Sequence, residues 1–178
     1  ADLFPQILEK NIDLAIGQIG ITPQRSQKFL FSLPYLITNG QFITKSTSPL
    51  KTIKDIQGKK VGVFRSSIYK DYLLEAFNAD VTITEFTAAP FAFNALINDE
   101  VDILLLGEVE ENYWIANSDF ATSDFRRVGE PIPLGSGYGI MANLQSIQLI
   151  GDINRALVAM EQDGTYLRLY NMYFGSYQ

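Results

Sequence analysis

Three short stretches carry residue types and spacings that could do chemistry. Residues 13–25 read DLAIGQIGITPQR. The apolar run ends at Gly17, Thr22 is a natural N-cap and Pro23 a natural first helical residue. Arg25 then falls in the first helical turn, where the macrodipole disfavours a cation. A guanidinium in that place suits a nearby anion, because it grips a carboxylate through two parallel N–H bonds. That anion is either a bound ligand or a neighbouring Asp or Glu, and the local sequence leaves the two readings level. Residues 61–69 read VGVFRSSIY, with Ser66 and Ser67 where a strand meets a helix. The backbone N–H groups of a helix start make a carboxylate site there; the competing reading is a serine that only caps the helix. Residues 106–111 read LGEVEE. Glu108 follows a strand, and ligands of open α/β sheets bind beyond the carboxyl ends of strands. Glu110 and Glu111 read as the solvated start of a helix. As paired carboxylates they could instead move protons or hold a hard cation, but the run lacks the EF-hand pattern.

What is absent narrows the chemistry further. The 178 residues include no Cys and no His. Disulfides, thiolate metal sites and thiol nucleophiles are thereby excluded. So are Ser-His-Asp triads, the commonest general base and the commonest transition-metal ligand. A net charge of −6 disfavours nucleic acid, whose phosphates demand clustered Lys and Arg. The same charge is mildly compatible with a cationic ligand, but solubility is the simpler reading of it.

The elements that must position these residues belong to an ordinary globular chain. Apolar residues make up 47% and charged residues 19%, and the apolar runs, such as Ile103 to Leu106, fall far short of a membrane span. No basic segment followed by an apolar one opens the chain, as expected if an exported precursor has lost its signal peptide.

Two stretches repeat one another. Phe4, Ile7, Leu8, Ile12 and the run Asp13 to Ile16 match Phe93, Leu96, Ile97, Val101 and the run Asp102 to Leu105 at constant offset. Each reads as an amphipathic helix, a short turn and an apolar strand that suits a parallel sheet buried on both faces. Between them, Val61–Phe64 predicts a strand, Tyr69, Leu73, Leu74 and Phe77 a helix, and Val81–Thr84 another strand. Alternation of this kind predicts a parallel α/β sheet. Residues 40–45, extended and β-prone, and the Pro- and Gly-rich 129–137 read as connections. Residues 150–174 read as helix, turn at Asp163-Gly164, helix. Tyr113, Trp114, Tyr166, Tyr170, Tyr173 and Phe174 read as core and packing residues.

In order along the chain, TPQR at 22–25 with SLPY at 32–35, SPLKTIKDIQGKKVGV at 48–63 and INRALVAMEQDGTYLRLYNMYFG at 153–175 resemble motifs of one family. This is the periplasmic solute-binding proteins of polar amino-acid ABC transporters, the family 3 type of extracellular solute-binding protein. The resemblance implies an α/β fold of periplasmic binding protein-like type II. Two α/β lobes, joined by two crossover strands, would close on a ligand. Lobe 1 would take residues 1–41 and 135–178, and lobe 2 residues 42–134. Family members carry a further strand–helix–strand segment before the position of Ala1, so lobe 1 is expected to be incomplete here.

The resemblance also implies site residues. Arg25 would bind the ligand α-carboxylate. Gln18, by its backbone carbonyl, and Gly20, where the family has a hydroxyl, would meet the α-amino end. The family's Gly-Thr-Thr turn becomes Ser66-Ser67-Ile68. The aspartate that pairs with the α-ammonium falls at Gly107, and Glu108 is the nearest substitute, although a shift of one residue ordinarily turns a side chain the other way. The expected function is capture of a small polar solute, an amino acid such as arginine or another basic one, in the periplasm for delivery to an inner-membrane permease. No enzymatic step, cofactor or metal is expected. A dehydratase-like enzyme on the same scaffold and the sensing module of a receptor are the alternatives.

Overall fold

The computed structural model describes residues 3–78, 80–117 and 124–175. The chain splits into two compact units, Ala1–Ile37 with Gly135–Gln178, and Thr38–Leu134. They are described in turn as unit 1 and unit 2.

Unit 1 holds α1 (Leu3–Leu8), β1 (Leu14–Ala15), α2 (Pro23–Ser26), β2 (Phe29–Phe31), and, after the excursion through unit 2, β8 (Met141–Asn143), α6 (Ile147–Gln162) and α7 (Thr165–Phe174). Its sheet has the order β1-β8-β2, with β8 antiparallel to both neighbours. The core is small: Ile7, Ala15, Ile19, Phe29 and Met141, with Phe4 packed edge-on against Phe29. The helix–turn–helix expected over 150–174 is present. Gly164 takes the left-handed conformation at φ 78° between α6 and α7, and the Asp163 carboxylate accepts from the Thr165 N–H at 2.8 Å.

Unit 2 holds β3 (Gly40–Lys45), a 3-10 turn (Ile53–Ile56), β4 (Lys60–Phe64), α3 (Ile68–Phe77), β5 (Thr82–Phe86), α4 (Ala89–Ile97), β6 (Ile103–Gly107), α5 (Glu108–Asn117) and β7 (Phe125–Ile132). The sheet order is β5-β4-β6-β3-β7. β4 runs parallel to β5 and β6, and β3 runs antiparallel to β6 and β7. The period of two in β6 divides its side chains between two clusters. Ile103 and Leu105 join Phe42, Val61, Val63, Leu73 and Val128 on one face, while Leu104 and Leu106 join Ile43, Phe93 and Leu96 on the other. Gly62 is a glycine because β4 is pressed closely: a Cβ there would stand 2.6 Å from Leu104 Cδ2.

Four expectations need correction. The internal repeat is real in pattern but not in environment. β6 is buried throughout and pairs in parallel with β4, whereas β1 has two residues, pairs antiparallel with β8 and is followed by an exposed Ile16. The two aspartates differ likewise: Asp102 accepts from the Lys60 N–H at 2.8 Å and so registers β4 against β6, while Asp13 is exposed. Residues 40–45 are not a connection but β3, a central strand, and β7 runs on through Pro131 to Ile132. Pro131 is tolerated because β7 is an edge strand, and the β3–β7 register shifts beside it, between Gly40 and Phe42. Finally, the aromatics of α7 are not core: none of its described residues is buried, and Tyr166, Tyr170 and Phe174 stack along the helix with centroids 6.3 and 5.2 Å apart.

Candidate functional site

In unit 1 the segment between β1 and α2 is held from several directions. Ile21 donates to the Gly137 carbonyl at 2.9 Å, Gly139 to the Ile19 carbonyl at 3.1 Å, and the Tyr35 hydroxyl to the Gly17 carbonyl. Thr22 is the N-cap of α2: its φ and ψ are extended, and its Oγ1 accepts from the Arg25 N–H at 3.2 Å. Pro23 follows as the first helical residue. Arg25 is half-buried. Its Nη1 donates to the Gly20 carbonyl at 3.1 Å, and its Cζ lies 5.0 Å from the centre of the Phe4 ring. The carbonyl and the aromatic face together fix the plane of the guanidinium.

The helix macrodipole does not strain Arg25. α2 has four residues, so Arg25 lies in its first and its last turn at once. A single turn has little macrodipole, and the electrostatic strain inferred from sequence disappears. Gly20 meets Arg25 through its backbone oxygen, and Gln18 is exposed two residues before it.

In unit 2 the expected residues gather at the carboxyl ends of β4 and β6, neighbouring parallel strands. After Phe64 the chain turns through Ser66, which adopts a left-handed φ of 57°. Ser67 donates its N–H to the Phe64 carbonyl, and its Oγ accepts from the Lys70 N–H at 3.3 Å as the N-cap of α3. The Ser67 hydroxyl therefore does what the capping reading expected. Ile68 is buried in the core, so its backbone N–H is the part of it that faces the start of α3.

Three acids open α5, where negative charge is favoured. Glu108 is partly buried. Its carboxylate accepts from Asn39 Nδ2 at 2.9 Å and lies 3.8 Å from Arg127 Nη1, and its N–H donates to the Asn39 carbonyl at 3.0 Å. The reading of Glu110 and Glu111 as a solvated helix start is overturned, since they are 6% and 3% exposed. Both Glu111 oxygens accept from Arg127 Nε at 3.1 Å, and Arg127 Nη2 donates to Asn112 Oδ1 at 2.9 Å. Burial pushes the Glu111 carboxyl above its usual range, with Arg127 pulling the other way.

Glu110 occupies a place that sequence reasoning missed. Its Oε2 comes within 1.8 Å of the point where a Cβ at Gly107 would stand, and the buried Tyr69 hydroxyl within 2.7 Å of the same point. The carboxylate thus fills the space of a side chain at position 107, where the resemblance puts the family aspartate. A signal was present in the sequence: a glycine at a strand end, three residues before an acid on a helix, brings that acid back over the glycine. Among the described residues no group of acids could hold a metal ion, and no helix is long and apolar enough to cross a membrane.

The profile of the bacterial extracellular solute-binding proteins, family 3, matches residues 1–176. The ABC transporter arginine-binding protein 1 of Escherichia coli (strain K12) is 26% identical over 97% of this chain and 70% of its own length. A periplasmic binding protein of an arginine third transport system from Legionella pneumophila superposes with a TM-score of 0.84 at 37% identity, over 97% of this chain and 77% of that one. The GluR0 ligand-binding core from Nostoc punctiforme, solved in complex with L-glutamate, superposes with a TM-score of 0.87 at 27% identity, over 97% of this chain and 78% of that one.

Proposed function

The chain belongs to the bacterial extracellular solute-binding proteins, family 3, with the type II periplasmic binding protein fold, and we propose that it captures an amino acid in the periplasm and delivers it to the permease of an ABC transporter. It acts by binding and not by catalysis. The observation that carries this reading is Arg25: a half-buried guanidinium held flat by the Gly20 carbonyl and the Phe4 ring, in a loop braced by the Ile21, Gly139 and Tyr35 hydrogen bonds. A cation positioned in advance loses little entropy when it grips a carboxylate. The names of the relatives add the ligand class, amino acids with basic ones foremost, and the net charge of −6 favours a basic ligand. Gly20 meets Arg25 through its carbonyl, Gln18 is exposed two residues earlier, and Ser66, Ser67 and Ile68 offer the start of α3; these are the remaining expected contacts. Glu108 is the weakest member of the expected set, because Asn39 and Arg127 already engage its carboxylate.

The test is a thermal-shift screen of the protein against the common L-amino acids, followed by calorimetry on the best. A ligand at a hundred times its Kd stabilises the fold by about 2.7 kcal/mol, which such a screen reads readily. Arg25→Ala should cost about 2–5 kcal/mol of binding and leave the fold intact. Unchanged affinity would remove Arg25 from the site.

A second reading, the sensing module of a receptor, draws on the likeness to the GluR0 ligand-binding core. Uptake of the radiolabelled amino acid separates the two: deleting the gene abolishes uptake under the transport reading and leaves it intact under the sensing one.

A further inference from the structure

We propose that Glu110 supplies the carboxylate that receives the α-ammonium of the bound amino acid, and that Gly107 is the residue that makes room for it. This rests on the amino-acid-binding reading above. Arginine and glutamate differ in side-chain charge but share an α-ammonium, and an ammonium taken out of water needs an anion beside it. Unit 2 offers three acids at the carboxyl end of β6, the end at which open α/β sheets take their ligands. An ammonium brought to Glu111 would meet Arg127, which already donates to both Glu111 oxygens. At Glu108 it would meet the same guanidinium, 3.8 Å away, and would have to displace Asn39.

Glu110 is placed differently. It is 94% buried by its 6% exposure, and its carboxylate reaches back along one turn of α5 to the end of β6. There Oε2 lies 1.8 Å from where a Cβ at residue 107 would be, beside the Tyr69 hydroxyl. A side chain at 107 and the Glu110 carboxylate therefore exclude one another, so the glycine is what seats the charge at the strand end. The same edge of the sheet carries Ser66 and Ser67, at the end of the adjacent parallel strand β4. The carboxylate is thus fixed before any ligand arrives, on a strand and a helix rather than on a long loop.

Calorimetry with L-arginine and L-glutamate, each beside the analogue that lacks only the α-amino group, tests this on the wild type, Glu108→Gln, Glu110→Gln and two further variants. For whichever amino acid the wild type binds, Glu110→Gln should weaken binding by about 30-fold or more. It should leave the affinity for the des-amino analogue unchanged, a split that a merely structural role of Glu110 would not produce. Glu108→Gln should weaken binding less than Glu110→Gln does. Gly107→Asp combined with Glu110→Ala returns a carboxylate to the same space by another route, and should regain at least about tenfold of what Glu110→Ala alone loses. Should Glu110→Gln fail to fold, as its thermal midpoint would reveal, that pair decides. Equal weakening of amino acid and analogue overturns the assignment, as does unchanged binding or a double variant no better than Glu110→Ala. If the wild type binds none of the common L-amino acids, the functional reading itself falls and takes the assignment with it.

Discussion

In unit 2 every residue of β6, from Ile103 to Gly107, is buried; in unit 1, α6 buries only Ile150 among its 16 residues and α7 buries none. The two C-terminal helices carry apolar residues at helical spacing, yet Ile147, Val158, Leu167 and Met172 are 71%, 39%, 49% and 63% exposed. An apolar stripe states which face a helix could bury, and only a partner lying over that face realises the gain of about 25 cal/mol per Å². The stability of the two units should accordingly respond very differently to equivalent changes.

The largest contrast is expected in truncations. Phe93 is fully buried against Leu104 and Leu106, with its ring 5.5 Å from Phe125. Phe93→Ala should cost about 3–5 kcal/mol, and Leu167→Ala in α7 should stay within about 0.5 kcal/mol. Urea melts followed by circular dichroism and by fluorescence of Trp114, the one tryptophan of the chain, read both. Equal losses at the two sites would break the comparison.

A smaller contrast comes from adding one methyl group. At Gly62 a new Cβ would meet Leu104 and Phe86 at 2.6 and 2.9 Å, so Gly62→Ala should cost about 1–3 kcal/mol. At Gly151, inside α6, the nearest atom would be the end of the Arg155 side chain at 3.8 Å. Gly151→Ala should there stabilise by about 0.5–1 kcal/mol, because alanine loses less backbone entropy in a helix. A neutral result at Gly62 would mean that β4 can yield, and would sharpen the limits of unit 2's tight packing.

The smallest contrast is one of sign. Burial raises the carboxyl of Glu111 in unit 2, whereas in unit 1 the exposed Asp163 is lowered, first by its hydrogen bond from the Thr165 N–H. The stability linked to Glu111 is fully present below the ordinary glutamate value and is lost as pH rises through its raised value in the fold. That linked to Asp163 is present above the ordinary aspartate value and is lost as pH falls through its lowered one. Stability measured against pH for Glu111→Gln and Asp163→Asn, relative to wild type, should therefore diverge in opposite directions at the two ends of the acid range. Parallel curves would show that Arg127 outweighs burial at Glu111.

Much of the molecule was legible in local pattern. Thr22-Pro23 predicted the cap of α2, the unbroken apolar run at 103–106 predicted a strand buried on both faces, and the three motif stretches pointed to the family that the profile match confirms. The absence of His and Cys also closed off whole classes of chemistry from composition alone. These features depend on residue identity and on spacing within a few turns of chain, which the sequence states directly.

What tertiary structure decided is which partner each local element meets. Asp13 and Asp102 stand in matching motifs, but Asp102 accepts from the Lys60 N–H of a neighbouring strand while Asp13 is exposed. Arg25 looked strained by a helix dipole and is instead held by a carbonyl and a ring, because α2 stops after one turn. Glu110 and Glu111 looked like solvent-facing charges. They are buried because Gly107 leaves a gap that one fills, and because β7 brings Arg127 to the other. Spacing along the chain sets which way a side chain can point; whether it points into water, a cation or a vacant space is set by residues far away in sequence, and no local pattern carries that information.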